Sequence, residues 1–284
     1  MIEIKVKETG EILATVDTDS LAGAELQELD LQGADLRSVD LSGAYLCHSD
    51  LSNADLTGAN LERATLQGAR FNNAILRQAN LAHVNAGSTS YTLSVVFTNA
   101  DLTDANFTGA YLRNAEIQNA KLENAYMCNA DMREADFHGS DMCSITARNA
   151  LLIDANLGST SLTGADFRGS HLNDTNLKGA NLQNADLSSL SHGNFTVLNL
   201  ANLEGTDLSN AKMCGTLARE ANFRFANLSN VDLTNAEVSA SNFKRANVEN
   251  ANFSGVDLAA VIMEFTNFSK ALNADIPSYK RNVR

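Results

Sequence analysis

Basic residues are in short supply. The 284-residue chain sets 21 Lys and Arg against 34 Asp and Glu, a formal charge of −13. Nucleic-acid backbones and anionic membrane surfaces repel such a molecule at long range, and a basic partner suits it better. Long apolar runs are absent too. None approaches the roughly 20 residues that span a bilayer, and the opening MIEIKVKETGEIL alternates where a signal peptide would carry an apolar core. The expected location is the cytoplasm. Histidines are few and scattered (His48, His83, His138, His171 and His192), and none stands at metal-ligand spacing. The chain has no Gly-rich phosphate loop after a strand, no G-x-S-x-G and no H-E-x-x-H. These absences leave enzyme as the least supported class, with no catalytic residue and no cofactor or metal expected.

What the chain does have is a period of five. From Leu26 onward a large apolar residue recurs at 26, 31, 36 and beyond, usually with a small residue two places earlier and Asp or Asn between. The stretches Leu26 to Leu81, Phe97 to Leu187 and Leu203 to Phe268 hold 12, 19 and 14 such centres, and only Ala147 and Ala218 among them are not Leu, Phe, Met, Ile or Val. Five matches neither the helical 3.6 nor the strand 2. A unit this short buries its centre only by stacking on its neighbours, so one repeat domain is expected over 21–268. The single proline, Pro277, lies beyond the last repeat, where it interrupts no stacking. Cys47, Cys128, Cys143 and Cys214 each follow a centre by one place, an outward position, and read as free thiols in a reducing compartment. Their spacing offers neither a bridge nor a clustered zinc site.

Units such as Ala34-Asp35-Leu36-Arg37-Ser38 and Ala180-Asn181-Leu182-Gln183-Asn184 resemble those of the pentapeptide repeat family. The resemblance implies an all-β fold, a right-handed quadrilateral β-helix with four units per coil, in which the centre and the small residue point inward. Twenty residues per coil at about 4.8 Å make about twelve coils, a rod on the order of 60 Å. Small residues at the second inward position let a narrow tube fill without voids, which leaves no concave pocket. The ends need covers. Residues 1–20 read as a β-hairpin cap, with alternating Ile2, Ile4 and Val6, a turn at Thr9-Gly10 and a second strand over Ile12 to Val16. Residues 269–284 read as a plug carrying Leu272 and Ile276, with a mobile tail of Lys280, Arg281 and Arg284.

The register slips twice. Leu81 to Phe97 and Leu187 to Leu203 each span 16 residues, three units plus one, and put Gly87 and Gly193 in equivalent places. A left-handed Gly is the usual way to insert one residue into a ladder, so both predict one-residue bulges near one face. They are either tolerated insertions left by an internal duplication or paired bumps, with Tyr91 and His192 close by, that set register on a partner.

Stacked acids such as Asp30 with Asp50, Asp35 with Asp55 and Glu116 with Asp136 follow from the repeat and come without a cleft. Two surface clusters stand out instead. Tyr45-x-Cys47 and Tyr126-x-Cys128 recur, and four-unit counting places both tyrosines on one face as candidate anchors or as a chance of duplication. Phe225, Arg245 and Phe265 are spaced by 20 and hence stacked, with Ile262 nearby. They form either a cation–π ladder or a dimer seam at the C-terminal end.

The leading expectation is a non-catalytic protein–protein interaction scaffold, an acidic rigid rod docking a protein partner. The alternative comes from the branch of the family that protects DNA gyrase or topoisomerase IV. Resemblance to it implies a DNA mimic, dimeric through its C-terminal end, that binds a basic DNA-binding enzyme such as gyrase and no nucleic acid directly. This chain is longer than that branch, lacks its long projecting loops, and dilutes its acids with Asn202, Asn222 and Asn242. A third class is a structural spacer, against which the covered ends argue.

Overall fold

Each five-residue unit closes a tight turn. The N–H of the next small residue bonds back to the centre's carbonyl, as Ala34 N to Leu31 O at 3.1 Å and Ala59 N to Leu56 O at 2.9 Å. The second residue after the centre takes φ near +60°, as Asn53 does at 60° and Gly58 at 67°. That left-handed position accounts for the Asn and Gly which the chain places there, since both tolerate it where a branched side chain does not. The Asp or Asn before the centre accepts the N–H two places on, as Asp40 Oδ1 does from Ser42 N and Asp55 Oδ1 from Thr57 N, both at 3.0 Å. Consensus acids are thus Asx-turn acceptors first.

The computed structural model describes residues 1–87 and 93–280. They divide into two compact units, Met1–Ile145 and a second beginning at Thr146. In both, parallel bridges join residues 20 apart, as Asp30↔Asp50, Asp35↔Asp55, Asp40↔Asn60 and Tyr45↔Thr65 in the first and Asn202↔Asn222 and Asp207↔Asn227 in the second. Four units therefore make one coil of a parallel β-helix. The centres fill its interior, and Phe71 stacks on Phe97 at 4.9 Å while Phe223 stacks on Phe243 at 4.7 Å. Where the small inward residue is Ser or Thr, its hydroxyl donates to a buried carbonyl, one coil away for Ser140 to Ile117 O at 2.6 Å and Thr206 to Leu177 O at 2.9 Å, and in the preceding unit for Thr160 to Leu157 O. Their burial therefore leaves no donor unmet.

In the first unit, β1 (Ile2–Lys5) pairs antiparallel with β2 (Ile12–Val16), Ile2 opposite Val16 and Ile4 opposite Ala14. The hairpin lies against the repeats. Val6 bridges Ala34, Asp35 N donates to Lys5 O at 2.8 Å, and Lys7 Nζ reaches Asp55 Oδ2 at 2.6 Å. The edge carbonyls and amides at residues 33–35 are satisfied by these bonds.

The register breaks differ from the expectation. Where the ladder crosses them the bridges step by 26, Arg70↔Val96 in the first unit and His171↔Val197 in the second. Each break therefore inserts six residues, a loop, where a one-residue bulge was expected at Gly87 and Gly193. Ala86 and Leu198 are fully buried centres bordering the loops; the 16-residue count passes over both. Gly87 takes no positive φ; a Cβ there would stand 2.5 Å from the Tyr111 ring, so its bare backbone lets the chain cross that ring. Gly193, at φ 84°, sits in a small turn in which Ser191 bridges Asn194 and Leu190 N donates to Asn194 O at 2.9 Å. His192 is exposed at its tip; Tyr91 falls outside the described residues.

At the C-terminal side Leu272 does not plug the coil. It bridges Asn252 in an outward position and is 51% exposed. Ile276 is half-buried beside Met263, Phe268 and Lys280. Lys280 is held in a 3-10 turn, Ser278–Lys280, and its ammonium donates to Val261 O at 2.6 Å. Arg281 and Arg284 lie outside the described residues.

Candidate interaction surface

A solenoid filled by its own centres offers function only on its outside. Phe225, Arg245 and Phe265 stand at turn corners, and the turn explains where they point; Tyr45, Tyr126 and Ile262 hold the bridging place before a centre. Phe225, Arg245 and Phe265 each occupy the second place after a centre, with φ of 58°, 59° and 59°. One coil earlier the same place is held by Gly205 at 68°, a residue suited to that conformation. A bulky residue there costs on the order of 1 kcal/mol, and its side chain is thrown outward.

The three side chains do stack, as their spacing of 20 predicts. The Arg245 guanidinium carbon lies 5.7 Å from the Phe225 centroid and 5.4 Å from that of Phe265. Two further cations join them, Arg224 at 5.5 Å from the Phe225 ring and Lys244 at 5.6 Å from the Phe265 ring. Lys244 Nζ also bonds Glu264 Oε2 at 2.7 Å. Phe225 is 46% exposed and Phe265 58%. Ile262, 46% exposed, bridges Asn242 and adds an apolar face beside Phe265. Arg224 and Lys244 escaped the sequence reading, although each precedes a ladder residue and the two are 20 apart. Leu200 escaped as well, exposed at φ 62°, because its centre Leu198 lies beside the misassigned break.

Tyr45 and Tyr126 are not paired. Tyr45 belongs to the column Thr65, Asn85, Tyr111, Asp131, whereas Tyr126 belongs to the column Asp40, Asn60, Asn80, Asn106. The bridges step by 26 at the break between them where they step by 20 elsewhere, so counting units across it lands on the wrong face. Both rings are exposed, at 46% and 53%, as separate features. The Tyr126 column carries an amide ladder in which Asn60 donates to Asp40 and Asn80 to Asn60, each at 3.0 Å.

The stacked acids are occupied. Asp35 forms a two-pronged pair with Arg37, at 2.7 and 2.6 Å, which holds its carboxyl at about 2. Asp55 is raised by burial, but Lys7 and Thr57 outweigh this and leave it below the usual carboxylate range. Two carboxylates sharing a proton would push one value up; here cations and turn amides do the opposite. In the second unit burial acts upward on Asp166, yet Arg168 and Arg148 bring it to about 2. The four cysteines are free. Burial and the Asp232 carboxylate push the Cys214 thiol up to about 11, which makes it a poor nucleophile at neutral pH. Among the described residues no group of His, Cys, Asp or Glu is placed to hold a metal ion, and no helix is long and apolar enough to cross a membrane.

Charge is divided unevenly. The first unit holds 9 Lys and Arg against 21 Asp and Glu, a net −12, and the second 12 against 13, a net −1. The cationic and aromatic corner lies in the nearly neutral unit.

The sequence profile of the family described as Pentapeptide repeats matches in eight copies, over residues 20–53, 54–87, 94–127, 110–145, 150–188, 197–236 and 239–272. No match is found among curated protein sequences. Among solved structures, HetL, a pentapeptide repeat protein involved in heterocyst differentiation regulation from the cyanobacterium Nostoc sp. strain PCC 7120, is 28% identical over 84% of this chain and 92% of that one, with a TM-score of 0.36. QnrB1, a plasmid-mediated fluoroquinolone resistance protein, is 17% identical over 74% of this chain and 89% of that one, with a TM-score of 0.45. A pentapeptide repeat protein from the Arabidopsis thaliana thylakoid lumen is 26% identical over 42% of this chain and 66% of that one, with a TM-score of 0.22.

Proposed function

Because this chain belongs to the pentapeptide repeat family, with a packed interior and its distinctive chemistry on the outside, we propose that it is a non-catalytic scaffold that docks a protein partner. The carrying observation is the Phe225–Arg245–Phe265 corner, where bulky side chains occupy left-handed positions suited to Gly or Asn and remain about half exposed around Arg245. Aromatic and Arg side chains are the residues that dominate interface energetics, and nothing in the turn calls for them.

The test is a photo-crosslinking residue at position 265 in the full chain, expressed in cells, with position 210 in the same unit as control. A discrete protein adduct from 265 and none from 210 supports docking here. Adducts equal at both sites, or none from 265, remove this corner from the proposal.

A second reading, a DNA mimic that binds gyrase or topoisomerase IV, draws on the −12 concentrated in the first unit. Its test is gyrase supercoiling with and without a fluoroquinolone at two salt concentrations. Salt-sensitive inhibition or drug rescue favours it, since a charge-matched surface binds with screened affinity; no effect at micromolar protein rejects it.

A further inference from the structure

Building on the docking reading of this corner, we propose that its partner is a protein segment in which a carboxylate is flanked by apolar side chains, an acidic ligand for a protein that is itself acidic. Most basic side chains in the structure are already spoken for: Arg37 by Asp35 at 2.6 Å, Arg168 by Asp166 at 2.7 Å, Arg219 by Glu237 at 2.6 Å, and Lys244 by Glu264 at 2.7 Å. Arg224 and Arg245 are exceptions. Neither has a carboxylate within ion-pair distance among the described residues, and the Nε of Arg224 is buried without a hydrogen-bond partner.

The rings decide how these guanidinium groups are presented. Phe225 and Phe265 flank Arg245 at 5.7 and 5.4 Å, and Phe225 is also within 5.5 Å of Arg224. Contact with aromatic rings removes water from a guanidinium without satisfying its N–H groups, which increases the gain from a carboxylate taken in the two-pronged geometry that Arg favours. Phe225, Phe265 and Ile262, each about half exposed, give apolar residues beside that carboxylate somewhere to pack. A polyanion such as DNA would meet the repulsion of the whole chain, at −13. A short segment with one or two acids is repelled far less, and the local unit is nearly neutral.

The experiment displays random 12-residue peptides on phage against the immobilised full-length chain, with the double variant F225N/F265N panned in parallel. Asn is native to the left-handed position, so that variant keeps its fold, which a thermal melt verifies. Enriched peptides that pair Asp or Glu with Leu, Ile or Phe, bind Arg245→Glu at least tenfold more weakly, and lose tenfold when their acid becomes Gln are the expected result. Neutral or basic peptides that bind the wild type and not F225N/F265N leave the docking reading standing and overturn the acidic partner. Peptides that bind both proteins alike, or no enrichment, overturn both. Sedimentation of the full chain provides the last check: dimerisation abolished by Arg245→Glu assigns the corner to a second copy and overturns the proposal.

Discussion

Asn194, in the loop that interrupts the second unit, donates its side-chain amide to Asn149 Oδ1 at 2.9 Å across 45 residues. The pair closes over Gly169, at φ 72°, where a Cβ would meet Asn149 Oδ1 at 2.6 Å and Asn194 Oδ1 at 2.7 Å. A loop six residues too long for its coil is pinned because one corner beneath it is bare. Gly169→Ala is expected to destabilise the chain by roughly 1–2 kcal/mol, combining backbone strain with displacement of both amides. A urea melt measures it, and an unchanged midpoint would show that the amides move aside without cost.

Deleting residues 190–195 joins Ser189 to Thr196 and leaves Leu187-Ser-Ser-Thr-Val-Leu198, one ordinary repeat unit. Thr196 is fully buried and its hydroxyl already accepts Gly169 N at 2.9 Å, the inward role of a small repeat residue. The shortened chain is expected to keep its circular-dichroism spectrum and cooperative melt. Loss of either would mean that the loop is not a simple insertion.

Two phenylalanines 18 apart separate core from corner. Phe243 is fully buried, 4.7 Å from Phe223 and 6.3 Å from Phe253; Phe243→Ala is expected to cost about 3–5 kcal/mol. Phe225→Asn relieves a left-handed Phe and is expected to be neutral or stabilising by up to about 1 kcal/mol. Comparable destabilisation of the two variants in denaturant melts would contradict this division.

Asp166 accepts from Arg168 Nε at 2.9 Å and Nη2 at 2.7 Å and from Arg148 Nε at 2.6 Å, and sits at about 2 against an ordinary 3.8. A carboxyl lowered by folding stabilises the native state above its unfolded value and loses that contribution as pH falls through the folded one. Between about pH 4 and pH 2 the wild type should therefore lose roughly 1–2 kcal/mol from this group. Asp166→Asn should be less stable by that amount at pH 6 and show no difference near pH 2; a pH-independent gap would assign the loss to packing.

The repeat register and the hairpin at Ile2–Val16 were legible because period and alternation are local properties of the chain, and the β-helix was implied by the resemblance of the units to a known family. The stacking of Phe225, Arg245 and Phe265 was legible for the same reason, since no break lies between them. The pairing of Tyr45 with Tyr126 was not, because it depended on counting across a loop whose length the apolar pattern conceals: Ala86, a centre, looks like any other Ala.

The sequence by itself therefore determined which residues face inward, because a five-residue unit buries its centre only by stacking on its neighbours; that four units make a coil was implied by the family resemblance, and the bridges 20 residues apart show it. Only the tertiary structure decided which columns share a corner beyond a break, which acids are matched by cations and which guanidinium groups are left over. Those outcomes depend on distances between units 20 to 45 residues apart, and six extra residues are enough to change every neighbour.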